Sequence, residues 1–464
     1  MPAQNYVLLE RVTVGEAGAS SITFNSIPQT GYTDLKIVCS SRAADSVGAY
    51  VNISFNGLTT NLSSKTLRGS GSAVVSQTET TLVYTADEPT SATASTFSNS
   101  EFYIPNYTSA NYKSISTDGV SENNATAAYM FLTAGLWSST AAITSIKLTP
   151  SVSPFAQYSS FSLYGLAAVG TTPTKAPKAT GGSIIQTDGT YWYHAFLASG
   201  TFTPAVGLSC DVLVVGGGGG GAGAGAAGGG YSAGSGGGAG GYRTSTSLSL
   251  STATSVTVGA GGAAGINGTL STGRGTVGVD SVFSSITSTG GGGGGVETPP
   301  YNSGTNGGSG GGANQGGTAG ISSPVTSPVQ GYAGGVSNAG ASYPGAGGGG
   351  ATAVGATVTS GGTGGAGGAG SNSLSSWATA TNTGVSGYYA GGGGGGGFTT
   401  SGGAGGSGGG GAGGANPSGT KTAGTAGTPN VGAGGGGASG TIGTSGTVTG
   451  GNGGSGIVII RYAV

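Results

Sequence analysis

The chain has 464 residues, room for two or three domains, yet only 6% of them are charged and the net charge is −1. That balance excludes recognition of nucleic acid or of an anionic membrane by charge. No apolar run reaches the roughly 18 residues that a spanning helix requires. Cys39 and Cys210 are too few and too far apart for a disulfide framework, and they read as buried thiols.

Met1-Pro-Ala-Gln-Asn5 leads into a strand-like run without a basic region, so no signal peptide is expected and synthesis is expected in a cytoplasm. Over residues 1–170 apolar side chains recur with period two: Ile22 and Phe24, then Leu35, Ile37 and Cys39, then Val51, Ile53 and Phe55 before Asn56-Gly57. That spacing predicts half-buried strands. Further strands are predicted over 81–85, 101–104, 129–132, 143–148 and 161–164, with no amphipathic helix. Short strands joined by Ser, Thr, Asn and Gly predict a mostly β fold that opens with an antiparallel, jelly-roll-like β-sandwich. Trp137 is expected in its core.

Thr171-Thr-Pro-Thr-Lys-Ala-Pro-Lys178 has the composition of an exposed linker, here 171–182. Residues 183–196 predict a hairpin turning at Asp188-Gly189. With Gly200-Thr-Phe-Thr203 and Asp211-Val-Leu-Val-Val215 it should form a small β-sheet that nucleates a C-terminal domain, 183–464. His194 is the sole histidine. No second histidine or carboxylate at ligand spacing accompanies it, so a structural role is expected and no metal site or cofactor.

Glycine dominates the chain from residue 211 onward: 16 of the 108 precede that position, leaving 92 in the 254 residues from there to the C-terminus. Collagen would need glycine at every third place and abundant proline, and neither is present. Disordered chains are normally charged, whereas this segment carries only Asp211, Arg243, Arg274, Asp280, Glu297, Lys421 and Arg461. The remaining reading is a bundle of polyproline-II helices. Such helices make no internal hydrogen bonds and offer every N–H and C=O to neighbours. Ordering glycine costs on the order of 1–2 kcal/mol per residue, so only a dense lattice of hydrogen bonds between helices could hold it.

Asp211-Val-Leu-Val-Val215 with its six glycines, Gly238-Ala-Gly-Gly-Tyr-Arg243, Val256-Thr-Val-Gly-Ala-Gly-Gly262, Ser288-Thr-Gly-Gly-Gly-Gly-Gly-Gly295 and the closing Gly451-Asn-Gly-Gly-Ser-Gly-Ile-Val-Ile-Ile-Arg-Tyr462 resemble the glycine-rich domains of tailed-phage virion proteins. Marine-phage proteins are the nearer likeness, and the long-tail-fibre tip adhesins of T-even-like phages are also similar. Ser26–Leu35, Phe102–Tyr107, Val120–Thr126 and Ala134–Trp137 look like an N-terminal module of marine-phage structural proteins. The resemblance implies a sandwich of glycine helices whose connecting loops touch a bacterial receptor.

Insertions of different composition interrupt the later glycine runs, and they carry Tyr301, Tyr332, Tyr343 and Trp377. These are the candidate receptor-binding residues, since aromatic side chains on loops of a rigid scaffold make large amphipathic contact surface. Gly-x-Gly-x-x-Gly recurs only through composition, outside the strand and helix of a nucleotide site. Calcium-binding glycine repeats need more Asp than is present, and no serine-hydrolase elbow stands in an α/β context. The expected function is therefore not enzymatic. It is a virion surface protein, on tail or capsid, that contacts a host glycan or outer-membrane protein and other virion proteins. It is expected to assemble as a homotrimer without nucleic acid or membrane insertion. A structural capsid-decoration or fibre module is the alternative. Ice binding fits less well, because Thr is not arranged as a regular flat face.

Overall fold

The computed structural model describes residues 6–44, 50–88, 92–121, 128–168, 176–224, 233–266, 271–297, 299–337, 344–359, 361–398, 400–416, 419–441 and 448–464. The chain is mostly β, with large antiparallel sheets. It divides into two compact units, Met1–His194 with Ala463–Val464, and Ala195–Tyr462.

The first unit holds strands β1 (Tyr6–Thr13), β2 (Ile22–Phe24), β3 (Tyr32–Ser41), β4 (Tyr50–Phe55), β5 (Leu62–Gly69), β6 (Val74–Glu79), β7 (Tyr84–Ala86), β8 (Ser98–Ile104), β9 (Lys113–Ser121), β10 (Tyr129–Trp137), β11 (Ile146–Pro150), β12 (Ser160–Ala167), β13 (Ala179–Thr180), β14 (Ile184–Thr187) and the start of β15 (Tyr191–Phe196). One sheet runs β14-β1-β12-β3-β8-β9-β10-β5-β6, the other β2-β11-β4-β7. Set aside the additions β5–β6, β9–β10 and β14, and four strands remain in each, β1-β12-β3-β8 and β2-β11-β4-β7.

The predicted period-two residues form the core between these sheets. Leu35, Ile37, Cys39, Phe102, Phe161 and Leu163 are buried from one side, and Phe24, Val51, Ile53, Phe55, Ile146 and Leu148 from the other. Each large side chain so buried stabilises by about 1.5–3 kcal/mol. Trp137 is fully buried, as expected, its ring 5.2 Å from that of Phe55. Asn56 and Gly57 both have positive φ, 52° and 73°, and Leu58 N–H donates to Phe55 C=O. This is the geometry that Asn-Gly favours in a tight hairpin.

Strands β5, β6 and β9 carry no clear sequence signal. The buried side of β9 consists of Lys113, Ile115, Thr117, Gly119 and Ser121, so its alternation is one of position and hardly of hydrophobicity. Residues 183–196 do turn at Asp188-Gly189, where Asp188 Oδ1 accepts from the N–H groups of Thr190 and Tyr191. β14 pairs with β1, Ile185 opposite Arg11, and of the two strands expected beside the hairpin, Gly200–Pro204 lies in a different sheet from Asp211–Val215. Of the predicted linker, residues 171–175 lie outside the described residues.

In the second unit, β17 (Leu208–Val215) is flanked by β18 (Tyr242–Leu250) and β22 (Ile457–Ala463). Asp211 faces Arg461 and Val215 faces Ile457, so the two apolar strings that bracket the glycine tract are neighbouring strands. Val212–Val215 and Ile457–Ile460 are all buried. β16 (Gly200–Pro204), β19 (Thr254–Thr257), β20 (Ser281–Phe283) and β21 (Ile286–Ser288) make a smaller antiparallel sheet. The one α-helix among the described residues is α1 (Ser375–Thr381).

The glycine runs are neither helix nor strand, and their hydrogen bonds repeat every third residue. Gly216, Gly219 and Ala222 donate to Gly241, Gly238 and Ser235; Gly217, Gly220 and Gly223 to Val279, Thr276 and Gly273; Gly218, Gly221 and Ala224 to Gly454, Gly451 and Val448, all at 2.8–3.0 Å. Segment 391–397 repeats the pattern with 408–414, 365–368 and 234–237. At the glycines of these crossings no side chain fits. A Cβ on Gly393 would overlap the Gly435 carbonyl oxygen, and one on Gly218 that of Ala433.

Candidate functional site

Because the glycine segments bond in register, each turn belongs to one end of the second unit or the other. Segment 216–224 starts at the end of β17, and segments 235–241, 273–279 and 448–454 run back alongside it. The turns at 322–331 and 371–390 are at the end that carries β17 and β22. Tyr242, which opens β18, donates its N–H to Gln330 C=O, and Arg461 of β22 lies over the Trp377 ring at 4.6 Å. The turn at 299–302 is at the other end, where Val296 N–H donates to Tyr301 C=O.

The candidate aromatics are thereby separated. Tyr332, 39% exposed, and Trp377 stand at the sheet end. Tyr301, half-buried, stands a segment length away, roughly 20 Å at ~3.1 Å per residue. Tyr343 lies outside the described residues. Tyr301 therefore shares no surface with Tyr332 and Trp377.

Trp377 is 3% exposed. It sits in α1, which ends where Asn382 takes a left-handed conformation and its N–H caps the carbonyls of Ala378 and Thr379. Beyond α1 the chain folds back: Tyr389 is buried with its hydroxyl 2.6 Å from Thr383 Oγ1, and Ser371 and Tyr389 exchange backbone hydrogen bonds. Burial pushes the Tyr389 hydroxyl well above its usual pKa. The Arg461 guanidinium over Trp377 donates from Nε and Nη2 to Asp211 Oδ2 at 3.1 and 2.9 Å, and Asp211 Oδ1 accepts from Ser247 N–H. The 371–390 insertion is thus a folded cap locked to the sheet by an Asp–Arg–Trp stack. Its residues were legible in one respect: Asp211 and Arg461 are the charges of the opening and closing strings and share a register position.

The more exposed apolar surface at this end is the 321–332 turn, where Ile321, Val325, Val329 and Tyr332 are all exposed. No charged residue occurs between Glu297 and Lys421. Among the described residues no three His, Cys, Asp or Glu side chains gather as metal ligands. His194, in the first unit, is buried with Nδ1 2.6 Å from Gly181 C=O, and burial lowers its pKa to about 4. Both cysteines are buried and free.

A β-rich unit followed by a unit built from hydrogen-bonded glycine segments defines the class to which this chain conforms. The glycine-rich domain family matches residues 197–463, and the chain belongs to that family. No curated protein matches it.

Proposed function

We propose that the protein is a phage virion surface protein whose glycine unit presents turns to a host cell, as a tail-fibre or receptor-binding adhesin. We read the first unit as a jelly roll with hairpin additions, and the glycine segments as polyproline-II helices in a bundle. The three-residue hydrogen-bond period supports the second reading, because polyproline II has three residues per turn and bonds only to neighbours. One observation carries the functional reading: the backbone groups of the glycine segments are committed to one another, so only the turns retain side chains able to discriminate a partner. Loops on a stiff scaffold are where binding residues concentrate. The partner is uncharged at its contact, because the turns from residue 298 to 420 carry no charge.

The test is attachment of the purified chain to host cells, with Tyr301→Ala and Tyr332→Ala made separately, and labelling of the protein on intact particles. Saturable binding lost with one of the two variants supports the adhesin. A particle-bound protein that attaches to no host, with both variants indistinguishable from the parent, supports the structural alternative.

A further inference from the structure

The additions β9–β10 and β5–β6 extend the large sheet of the first unit past its four-strand core, and one face of that extension is apolar. The register places Val120, Met130, Gly69 and Val74 in one row across β9-β10-β5-β6. Asp118, Leu132, Leu67 and Ser76 form the next row on the same face, then Ser116, Ala134, Lys65 and Thr78. Cross-strand neighbours lie about 4.5–5.5 Å apart, so Val120, Met130, Val74, Leu132 and Leu67 make one continuous patch. They are between 42% and 72% exposed, and nothing among the described residues covers them. An apolar patch of this kind on a soluble surface marks an interaction site.

We propose that this face packs against the same face of a second copy, around a twofold axis that runs parallel to the strands between β10 and β5. Aligned sheets stack about 10 Å apart, and a twofold contact must be complementary to itself. This face meets that demand in shape and in charge. Rotation about such an axis keeps each row in place and exchanges β10 with β5 and β9 with β6. Leu132 then meets the partner's Leu67, and Val120 meets the partner's Val74. Met130, the longest side chain of the patch, comes over the partner's Gly69, where a Cβ would meet nothing within 4 Å in the isolated chain. Asp118 comes beside the partner's Lys65, one strand and one row away, while its direct opposite is the partner's Ser76. Each apolar residue thus finds an apolar residue or a hollow, and each acid finds a base. The pairing is independent of host binding by the glycine unit, and it places a twofold where a threefold was expected.

Sedimentation equilibrium of the full chain tests it. The parent should give twice the 43.3 kDa chain mass. Gly69→Leu fills the hollow without touching the chain's own fold and should give single chains, as should Leu132→Lys. Lys65→Asp should weaken the dimer, and Lys65→Asp combined with Asp118→Lys should restore it. Circular dichroism and melting confirm that each variant is folded. A parent that remains a single chain at every concentration overturns the proposal. So does an assembly of any size that Gly69→Leu and Leu132→Lys leave unchanged.

Discussion

Lys113 is 1% exposed, and its ammonium is held by four carbonyls, Ser109 at 2.6 Å, Ala141 at 2.7 Å, Asn111 at 2.8 Å and Ser139 at 3.4 Å. Lys113→Met keeps the aliphatic volume and strands those acceptors, each costing about 1–3 kcal/mol when unsatisfied. The first unit should lose about 3 kcal/mol in urea unfolding. Two other buried groups titrate in opposite senses. Burial lifts Asp87 from 3.8 to about 6, against hydrogen bonds from Ser41 and the Glu88 N–H that favour the carboxylate. Its folded form holds the proton longer than the unfolded chain, so stability falls as pH rises from about 4 to about 6. His194, lowered from 6.5 to about 4 by burial, does the reverse: stability falls as pH drops through the same window. A shift of two units corresponds to about 3 kcal/mol. Asp87→Asn should therefore gain about 3 kcal/mol in relative effect between pH ~4 and pH ~8, read by thermal melting. His194→Gln should shift by a similar amount in the opposite direction. If the effect of either variant is independent of pH, the assignment for that residue is wrong.

At the scale of elements, a glycine segment has three sides, and the residue on each side is set by what lies there. Segment 216–224 has partners on all three and is glycine or alanine throughout. Segment 363–369 carries Thr363, Ala366 and Ala369 every third place, none of them buried, while the intervening Gly364, Gly365 and Gly368 are buried. Gly393→Val drives a side chain into the Gly435 carbonyl and should cost more than the ~1–3 kcal/mol typical of overpacking. The second unit should fail to fold while the first keeps its melting transition. Ala366→Val, on an exposed side, should leave both transitions within about 0.5 kcal/mol of the parent. Equal effects from the two substitutions would refute the three-sided account. The same logic explains which strands were legible. β3 buries Leu35, Ile37 and Cys39 and β4 buries Val51, Ile53 and Phe55 at every second place, but β5 and β9 bury Thr, which finds partners such as Thr133 Oγ1 for Thr66 and Tyr84 C=O for Thr117. Buried polar residues paired in this way leave no hydrophobic period to read.

At the scale of the molecule, Tyr301 and Tyr332 occupy opposite ends of the glycine unit, so a single receptor surface can include one of them only. On the adhesin reading, truncating the tyrosine at the host-facing end should cost about 2 kcal/mol, close to thirtyfold in affinity. The other should bind as the parent does, measured on cells or on purified envelope. Equal losses from both would mean that neither end is the contact surface.

Period-two strings at residues 22–24, 35–39 and 51–55 determined antiparallel strands with one buried face, because a strand half-buried in apolar surroundings writes that spacing directly into the chain. Asp211–Val215 and Ile457–Ile460 announced neighbouring strands, since fully apolar runs are stable only when covered on both faces. Glycine content announced close backbone packing, since nothing else compensates its entropy. Tertiary structure alone decided which end each turn occupies, that Trp377 is covered by Arg461, and that β14 joins β1. Those outcomes depend on the direction in which each glycine segment runs and on which strand edge stands open. A residue without a side chain has the same sequence signature whichever way its segment points.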